Sequence, residues 1–280
     1  MHLVTFRRSV APPEAGVLVD SKVTGLGTDM LSLIASERVP EASGPSYDLA
    51  SITLMAPVPR PPKLICVGLN YRDHVIESKM EIPKVPTIFN KFPNVVIGPG
   101  EPIVLPKASE RPDYEAEFAF VIGRGGRHIP ANRAMEHVFG YTIVNDVSAR
   151  DFQMATTQWL MGKTFDTFAP MGPWLVTADE ISDPHALDIS LEIGGQTLQH
   201  SNTRELIFRI PQLVEFISTV VTLEPGDVVS TGTPSGVGAA RPQKPRRHRR
   251  AAQPGGCGAL ISPAFSSIPH SGNRRRNRGI

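Results

Sequence analysis

The chain has 280 residues, 40% of them hydrophobic, with 29 lysines and arginines against 27 aspartates and glutamates for a net charge of +2. That length and apolar content suit one large domain with a small appendage, and no apolar run approaches the roughly 18 residues of a membrane span. No secretory leader is evident, so a cytoplasmic protein is expected, with mitochondria as the alternative; Cys66 and Cys257 make neither a disulfide framework nor a cysteine zinc site.

Residues 1–58 open with the alternating strand Leu3-Val4-Thr5-Phe6 and read as a small leading segment. Pro57, Pro59, Pro61 and Pro62 then form an extended connector, because prolines break helices and restrict the residues before them. The main domain, 59–238, starts with a strand from Lys63 to Val67, followed by the segment Asn70 to Glu77. A strand from Glu115 to Ile122 ends in the glycine-rich turn 123–126. The pattern then predicts a short helix from Asn132 to Phe139, stopped by Gly140, and a strand from Tyr141 to Asp146. Gly194-Gly195 between two strand-like runs signals a hairpin, and Leu213, Ile217, Val220 and Val221 mark an amphipathic helix beginning near Pro211. Pro225-Gly226-Asp227 turns into a last strand, Val228 to Thr231. Isolated helices among many strands predict an α+β architecture and argue against a regular βαβ array. Neither the glycines at 123–126 nor Gly232-Thr233-Pro234-Ser235-Gly236 matches a nucleotide-binding fingerprint.

Glu115 and Glu117 are two positions apart in a strand, so both point to one face, and that face continues with Ala119 and Val121. Two carboxylates entering an apolar surface side by side repel and lose hydration unless a cation joins them, and such oxygen pairs suit Mg²⁺. The competing reading is an edge strand with solvated acids. Asp146, at the end of the next apolar strand, offers a third oxygen ligand; as a helix cap it would have a purely structural role. His74 and Glu77, three apart, share one face of a helical turn, where the carboxylate can orient the imidazole for proton transfer; an exposed ion pair is the alternative. Lys163 suits either a surface position or neutralisation of a substrate carboxylate or enolate.

In order and spacing, these residues resemble the fumarylacetoacetate hydrolase family, closest to its domain-containing protein 2 subgroup. The stretches that carry the resemblance lie between Leu54 and Gly238: Cys66-Val67-Gly68-Leu69-Asn70-Tyr71 with His74, Lys91 in Ile88-Phe89-Asn90-Lys91, Asp113-Tyr114-Glu115-Ala116-Glu117, Asn145-Asp146-Val147-Ser148-Ala149-Arg150-Asp151, Gly162-Lys163-Thr164-Phe165 and Thr231-Gly232-Thr233-Pro234-Ser235-Gly236. The resemblance implies a mixed β-roll of the fumarylacetoacetate hydrolase C-terminal-domain type that pairs into homodimers. It implies Mg²⁺ or Mn²⁺ at Glu115, Glu117 and Asp146, His74 with Glu77 as the proton-handling pair, and Lys163, Arg150, Gln153 and Thr233 in contact with a small 2-oxo acid. The expected reaction is hydrolysis of a carbon-carbon bond in an acylpyruvate through a metal-stabilised enolate, with oxaloacetate tautomerisation or decarboxylation as the alternative.

Residues 239–280 depart from this pattern. They hold nine arginines and Lys244 without one acidic residue, and those ten charges lift an otherwise acidic body of net −8 to the overall +2. The resemblance implies a proline-glycine-aspartate turn and two further strands after Gly238, but the chain continues Ala239-Ala240-Arg241-Pro242-Gln243-Lys244-Pro245-Arg246-Arg247. Such composition is expected of a GC-rich gene read out of frame from near Ala239, which makes an inactive homologue with a damaged C-terminus the competing hypothesis. Nucleic-acid binding by the tail is disfavoured because no aromatic residue interleaves the basic runs.

Overall fold

The computed structural model of the protein describes residues 1–39 and 41–238, so the expectations for the basic tail lie outside the described residues. The strands are β1 (His2–Arg7), β2 (Glu14–Val19), β3 (Lys22–Gly25), β4 (Ser46–Asp48), β5 (Thr53–Met55), β6 (Leu64–Gly68), β7 (Thr87–Lys91), β8 (Val96–Ile97), β9 (Pro112–Asp113), β10 (Ala116–Ile122), β11 (Val138–Asn145), β12 (Ser148–Ala149), β13 (Ala169–Pro170), β14 (Leu175–Thr177), β15 (Asp188–Ile193), β16 (Gln196–Asn202) and β17 (Val228–Ser230). The α-helices are α1 (Met30–Ala35), α2 (Arg72–Ser78), α3 (Arg150–Gln153), α4 (Leu160–Lys163) and α5 (Ile210–Val220). Few helices among many strands is the α+β mixed architecture expected from the pattern.

Eleven strands form one sheet in the order β4-β3-β2-β1-β14-β11-β10-β17-β6-β7, with β5 also paired to β1. Most pairs are antiparallel, but β17 runs parallel to β6 with Ser230 opposite Cys66, so the sheet is mixed. The boundary expected at 58/59 falls between β5 and β6. Backbone pairing nevertheless carries the leading strands into the same sheet, since β1 pairs β14 through His2↔Val176 and Leu3↔Leu175.

Alternation along β10 divides the core. Ala116, Phe118, Phe120 and Ile122 pack on one face with Ile210, Leu213, Val214 and Ile217 of α5, while Ala119 and Val121 pack on the other with Leu64, Cys66, Val144 and Val228. Glu117 shares the second face by the same period of two. Phe118 stacks on Tyr141 of β11 with ring centroids 5.4 Å apart, adding to the hydrophobic burial of both.

Local details differ from the sequence reading. The helix expected over 132–139 is a 3-10 turn at Ala131–His137, and the next strand begins at Val138, before Gly140. Gly140 therefore lies inside β11, where a Cβ would meet the carbonyl oxygen of Val176 at 2.3 Å; it permits close strand approach and stops no helix. In α5 the buried stripe is Ile210, Leu213, Val214 and Ile217, whereas Val220 is exposed. No helix among the described residues is long and apolar enough to cross a membrane.

Candidate active site

The end of the β10–β11 ladder brings the acids together. Ala116 pairs with Asn145, and just beyond them the Asp146 amide donates to the Glu115 carbonyl at 2.8 Å while Asn145 Oδ1 accepts the Glu115 amide at 3.0 Å. Asp146 and Glu115 thus leave the sheet side by side. Glu117 approaches from within β10, next to β17, whose Ser230 hydroxyl donates to Glu117 Oε2 at 2.6 Å; the Gly232 amide donates to the same oxygen at 3.0 Å. One carboxylate oxygen from each of Glu115, Glu117 and Asp146 lies within 4.8 Å of the others, and all three residues are buried. The solvated-strand reading does not survive that burial.

Two ammonium groups enter this acidic cluster. Lys163 Nζ bridges Glu115 Oε2 at 2.6 Å and Asp146 Oδ2 at 2.7 Å, so it is no surface lysine. Lys91 Nζ bonds Asp146 Oδ1 at 2.5 Å and the Val147 carbonyl at 2.9 Å. The Arg150 guanidinium reaches Glu115 Oε1 at 2.5 Å, Asp113 Oδ2 at 2.8 Å and Gln153 Oε1 at 2.9 Å. Arg150, expected to contact substrate, is engaged by Glu115 and Asp113, and Gln153, expected in the same role, accepts from Arg150. Thr233, expected in the same role, donates to the Ala116 carbonyl at 3.0 Å and accepts from Gln199 Nε2 at 2.8 Å.

Cations are shared unevenly: among the described residues Asp113, Glu115 and Asp146 are each ion-paired with Arg150, Lys163 or Lys91, whereas Glu117 makes no ion pair. Burial, and then the neighbouring Asp146 and Glu115 carboxylates, push it well above the ordinary carboxylate range. Burial acts the same way on Glu115, but Arg150 and Lys163 outweigh it and hold that carboxyl at about 2. Lys163, despite a burial that disfavours its charge, is raised by Asp146 and Glu115 and stays an ammonium.

This donor set fits a divalent metal. Its ligands are hard carboxylate oxygens, Glu117 has no ion-pair partner among the described residues, and the three carboxylates together keep lone pairs beyond the hydrogen bonds they accept. Lys163 already places a positive charge between two of the three carboxylates.

His74 and Glu77 lie on α2, which follows β6 through Leu69 and Asn70. His74 Nδ1 is 3.5 Å from Glu77 Oε2, and both Glu77 oxygens accept the Gly236 amide, at 3.1 and 3.0 Å. Among the described residues neither makes a hydrogen bond to the three carboxylates. They join the site through the segment 231–238, which also supplies Gly232 to Glu117 and carries Thr233. Gly232 takes φ +99°, and a Cβ there would meet Asn70 Cβ at 2.9 Å and the Val67 carbonyl at 3.0 Å, so a side chain would separate this segment from β6 and α2.

Several contributors carried no assigned role in the sequence. Lys91 lay within a matching stretch, but alternation in an edge strand gives no hint that its ammonium is buried. Gln199, Ser230 and Asp113 depend on contacts between distant segments. Gln199 Oε1 accepts the Ala116 amide at 2.8 Å, and Asp113 Oδ1 accepts the amides of Tyr114 and Gly238.

Lys163 is also held from behind. A Cβ on Gly162 of α4 would lie 2.3 Å from the amide nitrogen and 2.5 Å from Cα of Gln153 in α3, a collision with backbone. Gly162→Ala should therefore push α4 away and displace Lys163, destabilising the protein by about 1–3 kcal/mol, readable as a lowered urea midpoint at constant m value.

A mixed sheet whose central strands gather three buried carboxylates, with a buried lysine between them and a histidine–glutamate pair on an adjoining helix, defines a class of acidic-triad proteins suited to small-anion chemistry. The family model for the fumarylacetoacetate (FAA) hydrolase C-terminal region matches residues 63–257, and the chain belongs to the fumarylacetoacetate hydrolase family. It is 52% identical to the mitochondrial oxaloacetate tautomerase fahd2 of Xenopus laevis over 69% of this chain and 61% of that protein. It is 47% identical to the mitochondrial oxaloacetate tautomerase FAHD2A of Homo sapiens, over 75% of this chain and 68% of that one. The match therefore spans about two thirds or less of these relatives' lengths. Among solved structures, the 5-carboxymethyl-2-hydroxymuconate delta-isomerase of Mycobacterium smegmatis aligns with a TM-score of 0.75 at 39% identity, covering 85% of this chain and 90% of that one. A fumarylacetoacetate hydrolase of Exiguobacterium antarcticum aligns with a TM-score of 0.76 at 33% identity, covering 85% and 88%.

Proposed function

We propose that this chain is a metal-dependent enzyme that interconverts the enol and keto forms of a small 2-oxo acid, oxaloacetate being the substrate the similar relatives favour. The observation that carries it is the buried Glu115–Glu117–Asp146 triad with Lys163 between two of its members. Acylpyruvate hydrolysis is the first expectation from the family resemblance. That chemistry fits the family as well, but tautomerisation, first given as the alternative, needs only enolate stabilisation and a proton transfer, and the names of the similar relatives point to it.

Glu115, Glu117 and Asp146 would hold Mg²⁺ or Mn²⁺, which when bound supplies Lewis-acid polarisation of the 2-oxo group. Lys163 adds a fixed positive charge where the enolate oxygen or the substrate carboxylate gathers negative charge, in a site from which water is largely excluded. Arg150, tied to Asp113 and Gln153, keeps Glu115 ionised and fixed in direction. His74 moves the proton at substrate C3: with Nδ1–H turned toward Glu77, Nε2 carries the free lone pair and works as the base, and the imidazolium is stabilised by the Glu77 carboxylate. Gly236 holds Glu77 in place for this task. Thr233 is available to a substrate carboxylate only by giving up one of its present partners.

A homodimer belongs to the same proposal, supported by the family and measurable by light scattering during size exclusion. The division into a leading segment, 1–58, and a catalytic domain, 59–238, is likewise retained. Mitochondria, the second localisation expected, match the relatives' names.

The test is to follow the decay of the ultraviolet absorbance of enol-oxaloacetate. We expect acceleration that EDTA abolishes and Mg²⁺ or Mn²⁺ restores. If the purified protein gave no EDTA-sensitive acceleration, and no cleavage of acetylpyruvate or fumarylpyruvate, the enzyme reading would fail and the inactive-homologue hypothesis would stand.

A further inference from the structure

Helix α2, which carries His74 and Glu77, has seven residues, and Val75 is the one it buries. A helix of that length has little stability of its own, and a single buried aliphatic side chain fixes neither its rotation nor its position. Its placement rests on polar anchors. Glu77 supplies one by accepting the Gly236 amide. Asp73, four residues earlier and so on the same face, supplies another. Its Oδ2 accepts the Ser201 hydroxyl at 2.6 Å and the Ser235 hydroxyl at 3.3 Å, while its Oδ1 accepts the adjacent His74 amide at 2.8 Å. One partly buried carboxylate thereby joins three segments distant in sequence: the first turn of α2, strand β16, and the loop that follows β17.

That convergence has a direction. Strand β16 also carries Gln199, which fixes Thr233 and the Ala116 amide, and the loop after β17 carries Gly232, which bonds Glu117. Asp73 therefore ties the helix bearing the base to the two elements that brace the carboxylate triad, and it grips that helix at the backbone amide of His74.

We propose that Asp73 is a positioning residue that sets the His74–Glu77 pair over the acidic site, acting through His74 and touching neither metal nor substrate. This rests on the proposed role of His74 as the base. Asp73→Ala should lower kcat about a hundredfold, the loss associated with misplacing a reacting group by about 1 Å. KM should stay within about twofold of the parent, and Mn²⁺ affinity measured by calorimetry should be unchanged. Because Asp73 acts through His74, the double variant Asp73→Ala/His74→Ala should be no slower than His74→Ala alone. Asp73→Asn should recover most of the rate, since serine hydroxyls can accept from an amide as well as donate to it.

Multiplicative losses in the double variant, or parent kcat in Asp73→Ala, would overturn the proposal. So would a fall in Mn²⁺ affinity comparable to the fall in rate, which would mark general structural damage. Amide hydrogen exchange gives a readout independent of turnover: Asp73→Ala should raise exchange in α2 at least tenfold relative to β10. Unchanged exchange would defeat the anchoring even in an active enzyme. Faster exchange of α2 in Asp73→Ala, with no 2-oxo acid turnover in the parent protein, would sustain the anchoring and defeat the catalytic reading alone.

Discussion

Asp146→Ala is expected to have the largest combined effect on stability and activity. Asp146 is fully buried and neutralises two buried ammonium groups, with Lys91 on Oδ1 and Lys163 on Oδ2. Removing one partner of a buried ion pair leaves the other charged and unsolvated, typically at a cost of 3–5 kcal/mol. Here two cations lose a partner, although Lys163 keeps Glu115 and Lys91 keeps the Val147 carbonyl. The expected loss of stability is about 3–5 kcal/mol by urea denaturation, together with loss of metal-dependent turnover. Asp146→Asn separates the two effects. Its amide oxygen can still accept a lysine, so more of the fold should survive while activity stays low. A variant Asp146→Ala that kept turnover within about tenfold of the parent would remove Asp146 from the proposed metal set.

Glu117→Gln is expected to act in opposite directions on the metal-free and metal-loaded protein. Burial, then Asp146 and Glu115, raise the Glu117 carboxyl well above its ordinary 4.5. A group raised in the folded state contributes stability that is present below its unfolded value and lost as the pH climbs toward the folded one. Ionising Glu117 is therefore a burden on the metal-free fold that grows as the pH rises. Glutamine keeps the shape, and its carbonyl oxygen can accept from Ser230 and Gly232 as Oε2 does now. The metal-free variant should therefore lack the parent's loss of stability with rising pH, so that its advantage over the parent grows toward alkaline pH in urea denaturation. Mn²⁺ at about a hundredfold its Kd should add about 2.7 kcal/mol to the parent and almost nothing to the variant.

Glu115 supplies the internal comparison. Held at about 2 by Arg150 and Lys163 against its burial, it contributes stability present above 4.5 and lost as the pH falls toward 2. The pH dependence from Glu115 should therefore persist in Glu117→Gln, while the dependence from Glu117 disappears. A metal-free variant that kept the parent's loss of stability with rising pH, or one with an intact Mn²⁺ increment, would contradict the role drawn for Glu117.

Residue patterning carried much of this. Glu115 and Glu117 share a face because strands repeat every two residues, and Ala119 and Val121 on that face announced that the carboxylates enter apolar surroundings. The hairpin at Gly194-Gly195 and the start of α5 at its proline were legible from turn chemistry and helical spacing, both local properties of the chain. The 3-10 turn before β11 was less so. Strand pairing with β10, which reaches Val138 through Ile122, decides where that strand begins, not the local pattern of 132–139.

The family, the acidic triad and the His74–Glu77 pair could thus be read from the sequence by itself: Glu115 and Glu117 two apart and His74 and Glu77 three apart constrain geometry directly, and Asp146 and the family follow from the order of the matching stretches. Only the tertiary structure decided how the charges are shared. It placed Lys91 and Lys163 on opposite oxygens of Asp146, turned Arg150 toward Asp113 and Glu115, left Glu117 without an ion pair among the described residues, and joined Asp73 to serines from β16 and the loop after β17. Those pairings link residues from 17 to 162 positions apart. No local periodicity encodes them, since they depend on which strands lie side by side in the sheet and on the low dielectric that forces each buried charge to find a partner.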